Sequence, residues 1–217
     1  MSGSLRHRGA FFLFATTAAV MLASGCAPNE SSLFIRQCQA VPQDTCEVTA
    51  DPTAFSRPSG VLDIAFAARY SCPLLVGNQL VTRGDPDRLR TETSRVQIYS
   101  ADVTLLNTTG GSLGEFSTQT SGFVDPSTGA QPGYGLADVV LINAMPAVGD
   151  VVAQVVLHGR TLGGLELTTG EWKFPIHICQ GCLCDRSTCA STDMPPKNCH
   201  IGTDAPVDCR FGLAGCP

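Results

Sequence analysis

The sequence is poor in charge and in helical periodicity, and it has no apolar run long enough to span a bilayer. Asp, Glu, Lys and Arg make up 15% of its 217 residues, against 43% hydrophobic residues. That balance excludes wholesale disorder. The length suits one generous domain or two small ones. Its 14 Lys and Arg form no basic block and are outnumbered by 19 Asp and Glu, for a net charge of −5. Nothing here would hold a phosphate backbone, so nucleic acid is not an expected partner. Beyond the first residues, no segment of ten or more shows a convincing 3.6-residue period, which leaves little room for amphipathic helices.

Cysteine, by contrast, is abundant. Eleven are present, too many for a reducing compartment without a metal cluster to occupy them. The first residues point the same way. Arg6-His7-Arg8 precede the apolar run Ala10 to Ala23, which leads to Ser24-Gly25-Cys26. A positive n-region, a short apolar h-region and small residues make a secretory signal. The fourteen apolar residues fall short of the roughly 20 needed for a helical membrane anchor.

Leu22-Ala23-Ser24-Gly25-Cys26 resembles the lipobox of bacterial lipoproteins, with Ala23 where Leu is preferred. The resemblance implies a diacylglyceryl thioether on Cys26, cleavage before it by lipoprotein-processing enzymes, and acylation (palmitate) of the new amine. It also implies a location: Ala27 replaces the Asp that retains many Gram-negative lipoproteins at the inner membrane, which favours the outer membrane. The competing reading is ordinary signal cleavage after Gly25, leaving a free thiol. Parity favours lipidation, because removing Cys26 leaves ten cysteines that disulfides can consume completely. Two or more acyl chains hold stably where one holds marginally. Loss of Arg6 and Arg8 takes the mature chain to −7, so no polybasic patch assists.

Four segments follow from composition: a signal at 1–25, an anchor and tether at 26–58, a β-domain at 59–178 and a cysteine-rich tail at 179–217. The tether is rich in Pro, Ser, Gln, Thr and Asp, with Cys38 and Cys46 spaced for a local disulfide. In the β-domain, Leu62, Ile64, Phe66, Ala68 and Tyr70 alternate with Asp63, Ala65, Ala67 and Arg69. Val96 and Ile98 alternate with Arg95 and Gln97, but Val103 and Leu105 fall on the opposite parity, the mark of a β-bulge. Ala137 to Ala144, Val151 to His158 and Trp172 to Ile178 also read as strands. Six to eight strands with turn signals between them predict an antiparallel β-sandwich, immunoglobulin-like by architecture only, since the Cys-Trp-Cys spacing is absent.

Cys179, Cys182, Cys184, Cys189, Cys199, Cys209 and Cys216 crowd the last 39 residues. A segment this short cannot bury a sufficient core, so covalent links must substitute. If Cys38 and Cys46 close on each other, Cys72 is left to pair with Cys179 or another tail cysteine. Zinc at Cys179, Cys182, Cys184 and Cys189, with His177 and His200 nearby, is the metal alternative, but no second C-x₂-C knuckle is present. A redox role for Cys179-x-x-Cys182 lacks a surrounding βαβ pattern.

Gly110-Gly111-Ser112-Leu113-Gly114 matches G-x-S-x-G, with Asp138 and His158 available to complete a triad; no helical period follows Ser112, as a nucleophile elbow requires. Asp85, Asp87 and Glu92 miss the EF-hand spacing and read as a solvated loop, and Asn107-Thr108-Thr109 as a surface loop. The expectation is a non-catalytic, lipid-anchored envelope protein without a cofactor. Its partners would be the membrane, through the lipid, and an envelope protein or polymer. A serine hydrolase using Ser112 and a metal or redox protein using the Cys179–Cys189 cluster are the rivals.

Overall fold

The computed structural model describes residues 32–85, 87, 90–144, 146–190, 193, 197–211. Cys26, Cys216 and the signal lie outside them. Among the described residues the fold is all-β. One sheet has the order β2 (Ser56–Arg57), β1 (Leu33–Gln39), β4 (Tyr70–Asn78), β7 (Gly133–Ile142). The other runs β3 (Gly60–Asp63), β10 (Trp172–Cys179), β8 (Gly149–Thr161), β5 (Val96–Asn107), β6 (Ser112–Val124), with β9 (Glu166–Thr168) beside the end of β8. Within these two sheets the strands pair antiparallel except at one edge, where β3 lies parallel to β10. A third, two-stranded sheet pairs β11 (Cys184–Asp185) with β12 (Val207–Asp208) in the tail.

The period-2 patterns become buried and open faces. Along β8, Val151, Ala153, Val155 and Leu157 enter the core, while Asp150, Gln154, His158 and Arg160 face out. Phe174, Ile176 and Ile178 of β10 join them, and Trp172 stacks half-buried on Phe174 at 5.3 Å between ring centroids. Leu33, Leu74, Val76, Val139 and Leu141 supply the facing sheet. The parity flip in β5 is a bulge: register shifts between Ile98 and Ser100 against both β6 and β8.

One side of the sandwich nearly closes, because the end of β6 curls against β7. Thr120 donates to the Asp138 carbonyl at 2.7 Å. A Cβ on Gly122 would stand 2.1 Å from the Leu136 carbonyl oxygen, so only glycine lets the two backbones come this near.

Three sequence expectations need correction. Leu33–Gln39, read as tether, is an inner strand between β2 and β4; its pairing partner is about forty residues away, beyond the reach of a local pattern. The alternation through Leu62 to Tyr70 is not one strand. Extended structure stops at Asp63, whose carbonyl accepts the Phe66 and Ala67 N–H groups in a turn. The disulfides also differ. Cys38 pairs with Cys72 and Cys46 with Cys199, not Cys38 with Cys46 or Cys72 with the tail. Sheet register decides this, since antiparallel β1 and β4 set Cys38 opposite Leu74, with Cys72 two residues along β4 on the same face. That bridge lies within one sheet, whereas in antibody domains the disulfide crosses between sheets.

Tyr70 fills the core beneath Gly60 and donates its hydroxyl proton to Asp204 Oδ2 at 2.8 Å. Burial first, and then the Asp204 carboxylate, push its ionisation well above the ordinary tyrosine range. The folded state therefore favours the neutral phenol. Its contribution is complete below the unfolded value of about pH 10 and is lost as pH climbs above it. In an alkaline titration the Tyr70 tyrosinate band is expected to appear together with loss of β-sheet circular dichroism. Tyr70→Phe should remove that coupling.

Candidate functional site

Two constellations of polar side chains stand out, one where the tail meets the sandwich and one on the open face of the larger sheet. At the first, Asp63 is fully buried at the end of β3. Its Oδ1 accepts the N–H groups of Ala65 (3.0 Å) and Gly181 (2.7 Å), and its Oδ2 accepts that of Leu183 (2.8 Å). The carboxylate therefore grips the chain on both sides of Cys182. Asp204 does the reverse from the tail. Its Oδ1 accepts the Val61 N–H, and its Oδ2 takes Tyr70 and stands 3.4 Å from Arg57 Nε. Thr203 bridges to Leu62, so residues 202–204 extend the edge of β3.

Disulfides reinforce the junction. Cys179 joins Cys182, Cys189 joins Cys209, and Cys46 joins Cys199; Cys184 is disulfide-bonded too. The sulfurs a zinc site would use at Cys179, Cys182, Cys184 and Cys189 are thus committed to bonds. Asp63 and the sulfurs of Cys179 and Cys182 lie within 4.8 Å of one another, but a disulfide offers no thiolate. Within the tail, Asp208 is buried and clasped by the Arg210 guanidinium, which holds its carboxyl far below the usual range against the opposing effect of burial. Gln43, Asp185, Lys197, Asn198 and Pro206 line a cleft of about 270 Å³ beside this pair.

The second constellation lies on the outer face of the larger sheet. Asp102 on β5 accepts the Ser117 hydroxyl at 2.6 Å through Oδ1 and meets His158 Nε2 at 2.7 Å through Oδ2. The Ser117 hydrogen bond and then that of His158 hold the Asp102 carboxyl below its ordinary value. Tyr99 tilts over the His158 ring and donates to Glu166, which pairs with Arg160. His177 and Asp150 form a further pair at 2.6 Å on the same face. A shallow hollow of about 450 Å³ opens between Asp102, Thr104, Glu115, Phe116 and Ser117.

The Ser117 cluster is not a nucleophilic triad. The carboxylate stands between hydroxyl and imidazole, so the imidazole cannot take the hydroxyl proton. The residues singled out from the sequence are also kept apart. Ser112 begins β6 opposite Leu106, whereas His158 lies opposite Ser100, six residues or roughly 20 Å along β5. Asp138 belongs to the other sheet, opposite Pro73. Gly110 and Gly111 form a hairpin turn in which Asn107 Oδ1 accepts the Thr109 and Gly111 N–H groups. Glu92 likewise folds its own loop, accepting N–H groups from Arg83, Gly84 and Ser94.

Sequence reasoning missed Asp63, Asp204 and Asp208. The one available signal was a lone acid between Leu62 and Ile64. No protein-family model matches the chain, and no curated protein sequence matches it.

Proposed function

We propose that this chain is a lipid-anchored envelope protein, held to the outer membrane by acyl chains on Cys26. It acts as a structural or binding module, presenting its sandwich and covalently stiffened tail to other envelope proteins or polymers. One observation carries the reading: all nine described cysteines are disulfide-bonded, the state of a protein matured outside a reducing cytosol. The basic, apolar and small-Cys elements that end at Cys26 give the same direction independently. The open polar face around Asp102, His158 and Tyr99, rigidly backed by the core, is the surface offered for recognition; loops and faces on such scaffolds commonly serve that purpose.

The test is intact mass and membrane fractionation of wild type and Cys26→Ala. Wild type is expected to carry two or three acyl chains and to sediment with outer membranes. Cys26→Ala should carry none and stay in the soluble fraction. An unacylated Cys26 in wild-type protein, with the remaining cysteines reduced in the cell, would overturn the reading.

A further inference from the structure

We propose that the end of the sandwich formed by residues 79–83 and 161–165 seats directly on the lipid leaflet, with Val81, Leu162 and Leu165 entering it. This rests on the lipid attachment at Cys26 and adds a second, protein-made contact with the same membrane.

Chain geometry locates the anchor. The Ser32 carbonyl accepts the Gln79 N–H at 2.8 Å, and β1 starts there against Asn78. Cys26 precedes Ser32 by six residues, which reach at most about 20 Å when fully extended. The acyl chains are therefore tied close to this end. The opposite end, some 40 Å away along the thirteen residues of β8, carries the disulfide-bonded tail.

At the anchored end the side chains are the wrong kind for water. Val81 is 59% exposed, Leu162 53% and Leu165 53%. The last two flank Gly163-Gly164 in a tight hairpin, where polar turn residues are the rule. None of the three is free to fold inward. Val81 is fixed by the Thr82 N–H to Ser127 carbonyl bond (3.1 Å) and the Ser127 N–H to Leu80 carbonyl bond (2.7 Å). The hairpin is fixed by N–H groups of Leu162 and Gly163 on the carbonyls of Arg95 and Thr93, and by Thr161 Oγ1 accepting the Leu165 N–H.

Val81 and Leu165 border one hollow of about 160 Å³, which Arg83 also lines. Apolar tips with a guanidinium beside them match the acyl–phosphate boundary of a leaflet. Three nearby acids are engaged: Glu92 accepts three backbone N–H groups, Asp125 pairs with Arg95 at 3.0 Å and Glu166 pairs with Arg160. The short tether keeps the tips at high local concentration near the surface, so weak insertion suffices.

The experiment incorporates full-length acylated protein into phosphatidylethanolamine–phosphatidylglycerol vesicles containing a diazirine-bearing phospholipid. Photolabelled peptides are mapped, for wild type and for Val81→Glu/Leu162→Glu/Leu165→Glu. Label is expected in peptides covering 79–83 and 161–165. The exposed Phe55, Leu113, Val148 and Ile201 of the far end should stay unlabelled. The triple variant should lose the label about ten-fold with acylation and non-reducing mobility unchanged.

Acylated protein without loop label, or with label at the far end, overturns the seating and leaves the lipid anchor standing. So does burial of these tips against a second copy or another protein, seen as protein cross-links in place of lipid ones. If mass shows Cys26 unacylated, the anchor falls; loop label then still supports the seating, and its absence overturns that as well.

Discussion

Asp63→Ala should lower the stability of the folded protein by roughly 3–5 kcal/mol, among the largest effects available to one substitution. The wild-type carboxylate is wholly shielded from water and satisfies three N–H groups, one in its own turn and two in the tail. Alanine leaves the half-buried Gly181 and Leu183 donors without their acceptors, and it opens a void where the carboxylate stood. Whole domains hold only about 5–15 kcal/mol. Denaturant unfolding of the intact, oxidised protein measures the change, and amide exchange locates it. Gly181 and Leu183 should lose protection first, while β5 and β8 keep theirs until global unfolding. A change below about 1 kcal/mol would mean the tail docks without this carboxylate.

Removing the Cys46–Cys199 bridge by paired alanine substitution should cost about 4–5 kcal/mol. The bond joins residues 153 apart, and the chain-entropy estimate grows with the logarithm of the closed loop. The same arithmetic gives only about 2 kcal/mol for Cys179–Cys182, which are three apart. The ordering is thus the test: unfolding midpoints should drop markedly more for the long closure than for the short one. Equal losses would assign the effect to local packing around the sulfurs and not to loop closure.

The legible parts of this fold were those with a local signature. In β8, Gln154, His158 and Arg160 mark the open side against Val151, Ala153, Val155 and Leu157, and β10 alternates Phe174 and Ile176 with Lys173 and Pro175; each pattern declares its buried side. The bulge in β5 was visible because a one-residue slip reverses which side chains are apolar. Strand β1 was hidden, since Leu33-Phe34-Ile35 is a short apolar run in a polar stretch and β1 gains its identity only by lying against β4. Disulfide connectivity failed for the same reason. Seven residues separate Cys38 from Cys46, close enough to suggest a loop, yet sheet register carries Cys38 to Cys72. Of the polar cluster, His158 shares its alternation with Gln154 and Arg160 and stands on the open face; its link to Asp102 emerges only when β5 and β8 are aligned. Alternation sets Asp63 on the side opposite Leu62 and Ile64 and says nothing about a tail that folds back over that side.

The Cys46–Cys199 bond also decides how the molecule bears mechanical load. Tension applied between the N-terminal stretch and the tail travels from Ser32 to Cys46 and crosses the sulfur bridge to Cys199. Of the strands only β1 lies on that path, and those from β2 to β10 are bypassed. In-line chain from Ser32 to Cys46 extends by about 50 Å at most, against roughly 440 Å if, without that bond, the same pull had to unravel the chain up to Cys199 with Cys38–Cys72 still closed. Under stress the protein behaves as a short strap with a folded body hung on its side.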